Sequence, residues 1–198
     1  MLNDRSSTLS LLATRRSGKP REMVAPGPSE AQLAEILEIA ARAPDHGKLF
    51  PWRFVIVPQD RREAFGRLLV GALEVEDPAG KLAKRDQAIE FAHQAPVLVV
   101  LISAPVHGHK IPLWEQELSV GAVAMNLLTA TTAMGFVGSW ITGWPTYSAR
   151  VSEAFCAPGQ KLAGFIFLGS PSRELEERPR PDLAQIIRHW NGLSPSPA

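Results

Sequence analysis

Val97-Leu98-Val99-Val100-Leu101-Ile102 is wholly apolar and rich in β-branched residues. It carries the strongest strand signal in the chain. A strand with no polar face is covered on both sides and lies at the centre of its sheet. The rest of the sequence is placed around it.

Upstream, Ser29 followed by Gln32 at the third helical position forms a capping-box pattern, and Leu33, Ile36, Leu37, Ala40 and Ala41 recur behind it at helical spacing. This amphipathic helix should stop at about Ala43, because Pro44 disfavours the α region for the residue before it. Phe54-Val55-Ile56-Val57 then reads as a buried strand. Asp60 and Glu63 form a second capping-box pattern before Phe65, Leu68, Leu69 and Ala72. Glu74 to Lys84 reads as a charged surface connection around Asp77-Pro78, and Asp86 to His93 as a third helix.

Downstream, Leu113 to Met134 is a long, almost charge-free helix closed by Gly135, where a left-handed cap would fall. A helix apolar nearly all round after its first turn is buried on more than one side, and a second subunit is a natural cover. Strands are expected at Phe136 to Ile141 and Ala163 to Leu168, with a short helix at Arg150 to Phe155 between them. Arg178-Pro179-Arg180-Pro181-Asp182 opens a last helix, Leu183 to Trp190, with Pro181 at its first position. Ser194 to Ala198 is expected to be disordered. Residues 1–198 read as one domain, with a core at about 9–171 and a C-terminal arm at about 172–193. Alternating helices and strands argue a three-layer α/β sandwich. Periodicity alone favours a parallel, doubly wound sheet, yet no Gly-x-Gly-x-x-Gly follows any strand.

The chain has 198 residues, 45% of them hydrophobic, enough for one sizeable core. Lys plus Arg number 21 against 20 Asp plus Glu, which leaves no basic excess for nucleic-acid binding. Leu9 to Ala13 is too short for a secretory apolar region, and no apolar run reaches membrane-spanning length. Cys156 is the single cysteine, so no intramolecular disulfide forms. The cytosol is the expected compartment.

Chemistry-bearing residues gather in three places. Arg15-Arg16-Ser17 ends a short amphipathic segment (Leu9, Leu11, Leu12), with Gly18 as terminator. Two guanidiniums and a hydroxyl suit a phosphate or the oxygens of a flavin, or else complement a helix dipole. Arg42, Asp45 and His46 flank Pro44 on one loop. Asp45 and His46 could form a catalytic pair, but adjacent turn residues usually point apart and an Asp there bonds its own backbone. Gly135-Phe136-Val137-Gly138-Ser139-Trp140-Ile141-Thr142 lets main-chain N–H groups approach a planar ligand beside a Trp, or is a tight turn with a core Trp.

Elsewhere the chemistry is sparse. Glu115 and Glu117 point to different helix faces and serve no single substrate. The histidines lack helical metal-ligand spacing, so no metal site is expected. Cys156, in an apolar context, is expected to be inert. No Gly-x-Ser-x-Gly elbow suggests hydrolysis.

Arg15-Arg16-Ser17, Arg42-Ala43-Pro44-Asp45-His46 with Pro51-Trp52, and Gly135 to Thr142 together resemble the flavin-dependent nitroreductase family, in particular its short NAD(P)H nitroreductases, over roughly Leu11 to Pro171. The resemblance implies an α+β fold, a three-layer α/β/α sandwich with a mixed, largely antiparallel central sheet. It implies an intimate homodimer with flavin mononucleotide (FMN) at the subunit interface. The implied cofactor contacts are Arg15, Arg16, Ser17, Arg42, His46, Trp140, Ile141 and Thr142, with Asp45 structural. Ala130, Thr131, Thr132, Ala133, Met134 and Gly135 match a segment assigned to the nicotinamide nucleotide.

On this reading the flavin carries the chemistry and no catalytic side chain is expected. NADH or NADPH delivers hydride, and a nitroaromatic, quinone or related acceptor then uses the same face in a ping-pong cycle. Arg15, Arg16 or Arg42 would stabilise the anionic reduced flavin. Arg178 or Arg180 could hold the cofactor phosphate, as a C-terminal basic residue does in larger members, or could sit in a solvated, Pro-stiffened tail. The tail after Pro171 is richer in Arg and Pro than the smallest members lead one to expect. Open alternatives are a same-fold flavoenzyme with another reductive reaction, a flavin-binding carrier or sensor, and a dimeric structural protein without cofactor.

Overall fold

The computed structural model describes residues 1–77, 82–190 and 192, with the side chains of residues 82 and 83 left aside. The expectation for Ser194 to Ala198 lies outside these residues, as does the middle of the Glu74–Lys84 connection. Along the chain run α1 (Thr8–Thr14), β1 (Met23–Val24), α2 (Glu30–Ala40), β2 (Trp52–Val57), α3 (Arg62–Glu76), α4 (Leu82–His93), β3 (Val97–Ser103) and α5 (Leu113–Ala133). Then come β4 (Val137–Ile141), α6 (Trp144–Tyr147), α7 (Ala149–Phe155), β5 (Lys161–Pro171) and α8 (Leu183–Ile186).

The apolar run is indeed central. β3 pairs with β2 on one side (Val57↔Leu98) and β5 on the other (Val99↔Ile166), and its residues Leu98 to Ile102 are fully buried. β4 pairs with the far side of β5, and β1 pairs with the last residues of β5. Every pairing among the described residues is antiparallel, so the doubly wound alternative fails. The cause is the connection between β2 and β3: α3 and α4 pack on each other as a hairpin, returning the chain to the end of the sheet it left.

Because successive strand residues face opposite ways, β3 feeds two cores. Leu98, Val100 and Ile102 pack with Phe165, Phe167 and the inner faces of α3, α4 and α7. Val99 and Leu101 pack with Ile166, Leu168, α2 and α5. The result is the three-layer α/β/α sandwich.

Local details depart from the pattern in several places. The first capping box forms in both directions, Gln32 N donating to Ser29 Oγ (3.3 Å) and Ser29 N to Gln32 Oε1 (2.9 Å), but α2 ends at Ala40, short of Ala43. The second does not form: Gln59–Arg61 make a 3-10 turn, and α3 starts at Arg62 with no side-chain cap. β2 pairs only with β3 and is buried at its ends, Trp52 and Val57, leaving Ile56 exposed.

Further along, α4 begins four residues before Asp86, and β5 runs past both ends of Ala163–Leu168. α5 closes at Met134 with Gly135 left-handed at φ 92°, as its sequence indicated. α8 spans only Leu183–Ile186. Asp182 caps it, accepting from Ala184 N at 3.0 Å, so Pro181 precedes the cap.

Candidate functional site

Ser7 caps α1, accepting from Ser10 N, and the chain leaves that helix in extended conformation at Arg15. The exit is clasped by Asn3, whose Nδ2 donates to Arg16 O (3.2 Å) while Arg16 N donates to Asn3 Oδ1 (2.6 Å). Gly18 does not terminate α1, which stops at Thr14. Its missing side chain instead makes room: a Cβ there would lie 3.2 Å from Met23 Cε and from Val137 Cγ2. Arg15 to Gly18 therefore lies against the start of β4.

Arg16 is 8% exposed although it is charged. Its Nε donates to the main-chain oxygen of Glu176 (2.8 Å) and lies 3.9 Å from the Glu177 carboxylate, so residues of the C-terminal arm cover it. Lys19 Nζ holds the Glu176 carboxylate at 3.1 Å, and Arg180 Nη2 holds that of Glu177 at 2.7 Å. Arg15 Nη1 donates to Ser17 Oγ at 3.3 Å.

The electrostatics say what such a cleft wants. The Arg16 guanidinium is held below its ordinary pKa by burial first, then by Arg178 and Arg180, with Glu177 and Glu176 pulling the other way. Arg15 is lowered by burial, then by Arg16 and Arg180. These guanidiniums share the cleft with the Glu22, Glu174, Glu176 and Glu177 carboxylates, and their planar forks suit phosphate oxygens. The donor set fits a phosphate monoester.

Trp140 and Ile141 follow on the same strand, about 10 Å further along at roughly 3.4 Å per residue, and Thr142 comes just after its end. Trp140 Nε1 donates to Ala163 O (2.9 Å), and its indole lies across Gly164, where a Cβ would come within 2.4 Å of Nε1. Thr142 is exposed at the strand end. Trp140, an odd number of residues from Val137, leaves the opposite face of β4 from the one against Gly18.

Arg42 and His46 lie elsewhere. His46 Nδ1 is 2.8 Å from Glu115 Oε2 in the first turn of α5, and Arg42 is exposed. Asp45 is structural: its Oδ2 accepts from Phe50 N at 2.7 Å, closing a turn with left-handed Gly47, Lys48 and Phe50. Asp45 and His46 thus point apart. The arginine cleft lies by the other end of α5, and at 1.5 Å per residue that helix separates the two groups by about 30 Å. The chain carries two separate groups of site residues, with no hydrogen bond or ion pair between them among the described residues.

In the segment Ala130–Gly135, Ala130, Thr131 and Thr132 are buried, and the two hydroxyls donate to Leu127 O (2.8 Å) and Leu128 O (2.9 Å). Ala133 and Gly135 reach the surface. Glu115 and Glu117 diverge, one to His46 and the other to Lys161 at 3.6 Å. Cys156 is half-buried, and burial pushes its thiol up. Among the described residues no three metal-ligating side chains converge.

Sequence reading missed Asn3, Glu176 and Glu177, which meet Arg16 from 13, 160 and 161 residues away, and Lys19, which holds Glu176; no local pattern encodes the long separations. It also missed Gln116, a buried residue between the two glutamates, whose Oε1 accepts from Val106 N (2.8 Å) and whose Nε2 donates to Ile111 O (3.1 Å).

This scaffold is that of nitroreductase-like proteins. The crystal structure of a nitroreductase-like family protein from Bacillus cereus matches with a TM-score of 0.79 at 18% identity, covering 94% of this chain and 97% of that one. That of the FMN and NADPH-dependent nitroreductase NfnB from Sphigopyxis sp. strain HMH matches with a TM-score of 0.73 at 21% identity, covering 94% and 100%.

The model of the Nitroreductase family matches residues 12–170, and the chain belongs to that family. It is 37% identical over 168 residues to the Escherichia coli K12 protein named "Putative NAD(P)H nitroreductase YdjA", covering 82% of this chain and 87% of that protein. A Haemophilus influenzae relative with the same designation is 35% identical over 175 residues, covering 87% and 92%. The nitroreductase-like α+β fold implied by the motifs is the one found, with every strand pairing among the described residues antiparallel.

Proposed function

We propose that this protein is an FMN-dependent oxidoreductase that takes hydride from NADH or NADPH and reduces a nitroaromatic, quinone or similar acceptor in a ping-pong cycle in the cytosol. The cluster of Arg15 and Arg16 with Ser17, closed over by the arm that carries Arg178 and Arg180, carries this reading, because planar guanidinium forks suit a phosphate. When bound, FMN supplies the redox chemistry. The protein's own residues position it.

Arg15, Arg16 and Ser17 hold the phosphate end, and Trp140, Ile141 and Thr142 border the ring. Fixed cations also favour the added negative charge of a reduced ring in a partly desolvated site. The nicotinamide nucleotide meets the Ala130–Gly135 segment through its exposed end, Ala133 and Gly135.

The working unit is a homodimer. α5 exposes Trp114 (68%), Leu118 and Met125 at helical spacing on one face, a stripe that pairing would cover. It also explains the two separate groups: Arg42 and His46 of the partner subunit complete the pocket begun by Arg15–Ser17 and Trp140–Thr142, placing FMN at the interface.

The test is the visible spectrum of the FMN-loaded protein before and after anaerobic NADPH or NADH. Flavin bands that bleach within the mixing time support the reading. Bands that persist with both donors point to a carrier or sensor, and failure to bind FMN overturns it.

A further inference from the structure

A cavity of about 540 Å³ lies beside the arginine cleft, walled by the N-terminal segment, the turn after α5 and the start of the C-terminal arm. It shares Glu174 and Leu175 with the cleft and Gly135 with the segment proposed to meet the nicotinamide nucleotide, but none of the residues proposed to hold the flavin lines it. Its volume is that of a small-molecule site. Leu2, Phe136, Val137 and Leu175 give it apolar walls.

Two guanidiniums reach this space. Arg173 is already neutralised, holding the Glu22 carboxylate and lying 3.7 Å from that of Glu176. Arg5 makes no hydrogen bond or ion pair among the described residues. Its guanidinium lies against Gly135, Nη1 being 2.6 Å from where a Cβ would be. Nor does it cap α5: the carbonyls of Ala130, Thr131 and Thr132 accept from the N–H groups of Met134, Phe136 and Gly135. A planar donor laid against main chain, beside apolar walls and with no acceptor, has the form of an anion anchor. Glu174 on the same lining opposes a second negative charge.

We infer that this cavity is a second ligand site, distinct from the flavin groove, for a small monoanion with a flat apolar body, of which an aromatic carboxylate is the simplest case. The ligand's carboxylate meets Arg5 and its ring lies between Phe136, Val137 and Leu175. Arg5, Glu174 and Leu175 fall outside the family match at residues 12–170, whereas Gly135, Phe136 and Val137 fall inside it. It does not depend on the proposed reaction.

The experiment is an NMR titration of the FMN-saturated protein with 1-naphthoate, with neutral 1-naphthamide as the control of equal shape. Naphthoate is expected to move the amide signals of Gly135, Phe136 and Val137 and to bind at least fivefold tighter than naphthamide. Arg5→Gln should remove that difference, leaving naphthamide binding unchanged, and Glu174→Gln should tighten naphthoate. Arg5 is exposed, so the fold survives its replacement, and the variant's own spectrum checks this. Arg5→Lys, which keeps the charge without the fork, should fall between. Shifts confined to Trp140–Thr142, no shifts at Gly135–Val137, or equal naphthoate affinity with and without Arg5 would each overturn the inference.

Discussion

Arg62 and Arg16 are both buried arginines, 1% and 8% exposed, and they are buried for opposite reasons. Arg62, at the start of α3, donates from Nε to Val57 O (3.0 Å) and from Nη1 to Ala92 O (2.9 Å) and Gln94 O (3.2 Å). It ties the end of β2 to the end of α4, where the helix dipole favours a cation. No carboxylate faces it, and burial pulls its pKa down to about 10. Arg16 has one main-chain acceptor, contributed by the arm, and other arginines around it. A charge bonded to the scaffold's main chain, as Arg62 is through Nε and Nη1 while its buried Nη2 has no partner among the described residues, is architecture. A charge set among other arginines and the glutamates of a terminal arm is the one proposed to bind the cofactor phosphate.

The largest expected effect is on the architectural side. Arg62→Met leaves the Val57, Ala92 and Gln94 carbonyls without their guanidinium, and should cost about 3 kcal/mol, since unsatisfied buried groups cost roughly 1–3 kcal/mol each and loss of the buried charge offsets part. Urea denaturation should show it, and a change under about 1 kcal/mol would erase the distinction between the two arginines.

Next comes Arg16→Ala. It should weaken FMN retention about tenfold or more while moving the thermal midpoint little, because removing one of several like charges relieves repulsion. Unfolding on the scale of Arg62→Met would make Arg16 structural as well. Gly164→Ala should act similarly through the other end of β4: the new Cβ displaces the Trp140 indole, so retention falls and the Trp140 indole N–H signal shifts.

pH sharpens the same contrast. Glu176 is held below the usual carboxylate range by Lys19 first, and Glu177 by its bond from the Arg178 N–H first. Lowered carboxylates contribute stability that is present above their ordinary pKa and lost as pH falls through the lowered one. The arm should therefore stay on Arg16 at neutral pH and loosen only in acid, whereas Arg62 has no carboxylate to lose. NMR titration of the two side-chain carboxyls checks this, and midpoints at or above the ordinary glutamate value would contradict it. The smallest effect belongs to a third kind of arginine: Arg67→Ala breaks an exposed pair with Glu63 at 3.2 Å and should cost no more than about 0.5 kcal/mol.

What the sequence made legible follows from the range of the interactions. β3, α2 and α5 announce themselves because strand and helix periodicity and capping are local. Antiparallel pairing was not legible from periodicity, since it depends on α3 and α4 folding back as a hairpin. Arg62 was invisible: an arginine behind an apparent capping box reads as a surface residue, and its acceptors include carbonyls 30 and 32 residues away. At the site, Arg15-Arg16-Ser17 stood out as a cluster, whereas its cover by Glu176 and Glu177 did not. The wide separation of Arg42 and His46 from that cluster has the same origin, because α5 sets it and no motif does.

The most direct measurement compares FMN with riboflavin, the same ring without the phosphate, binding to the wild-type protein and to Arg16→Ala. If Arg16 and its neighbours form a phosphate cleft, wild type binds FMN tighter than riboflavin by about a hundredfold, and the preference largely collapses in the variant. Equal affinity of the wild-type protein for the two flavins, or a preference untouched by the substitution, would contradict the account.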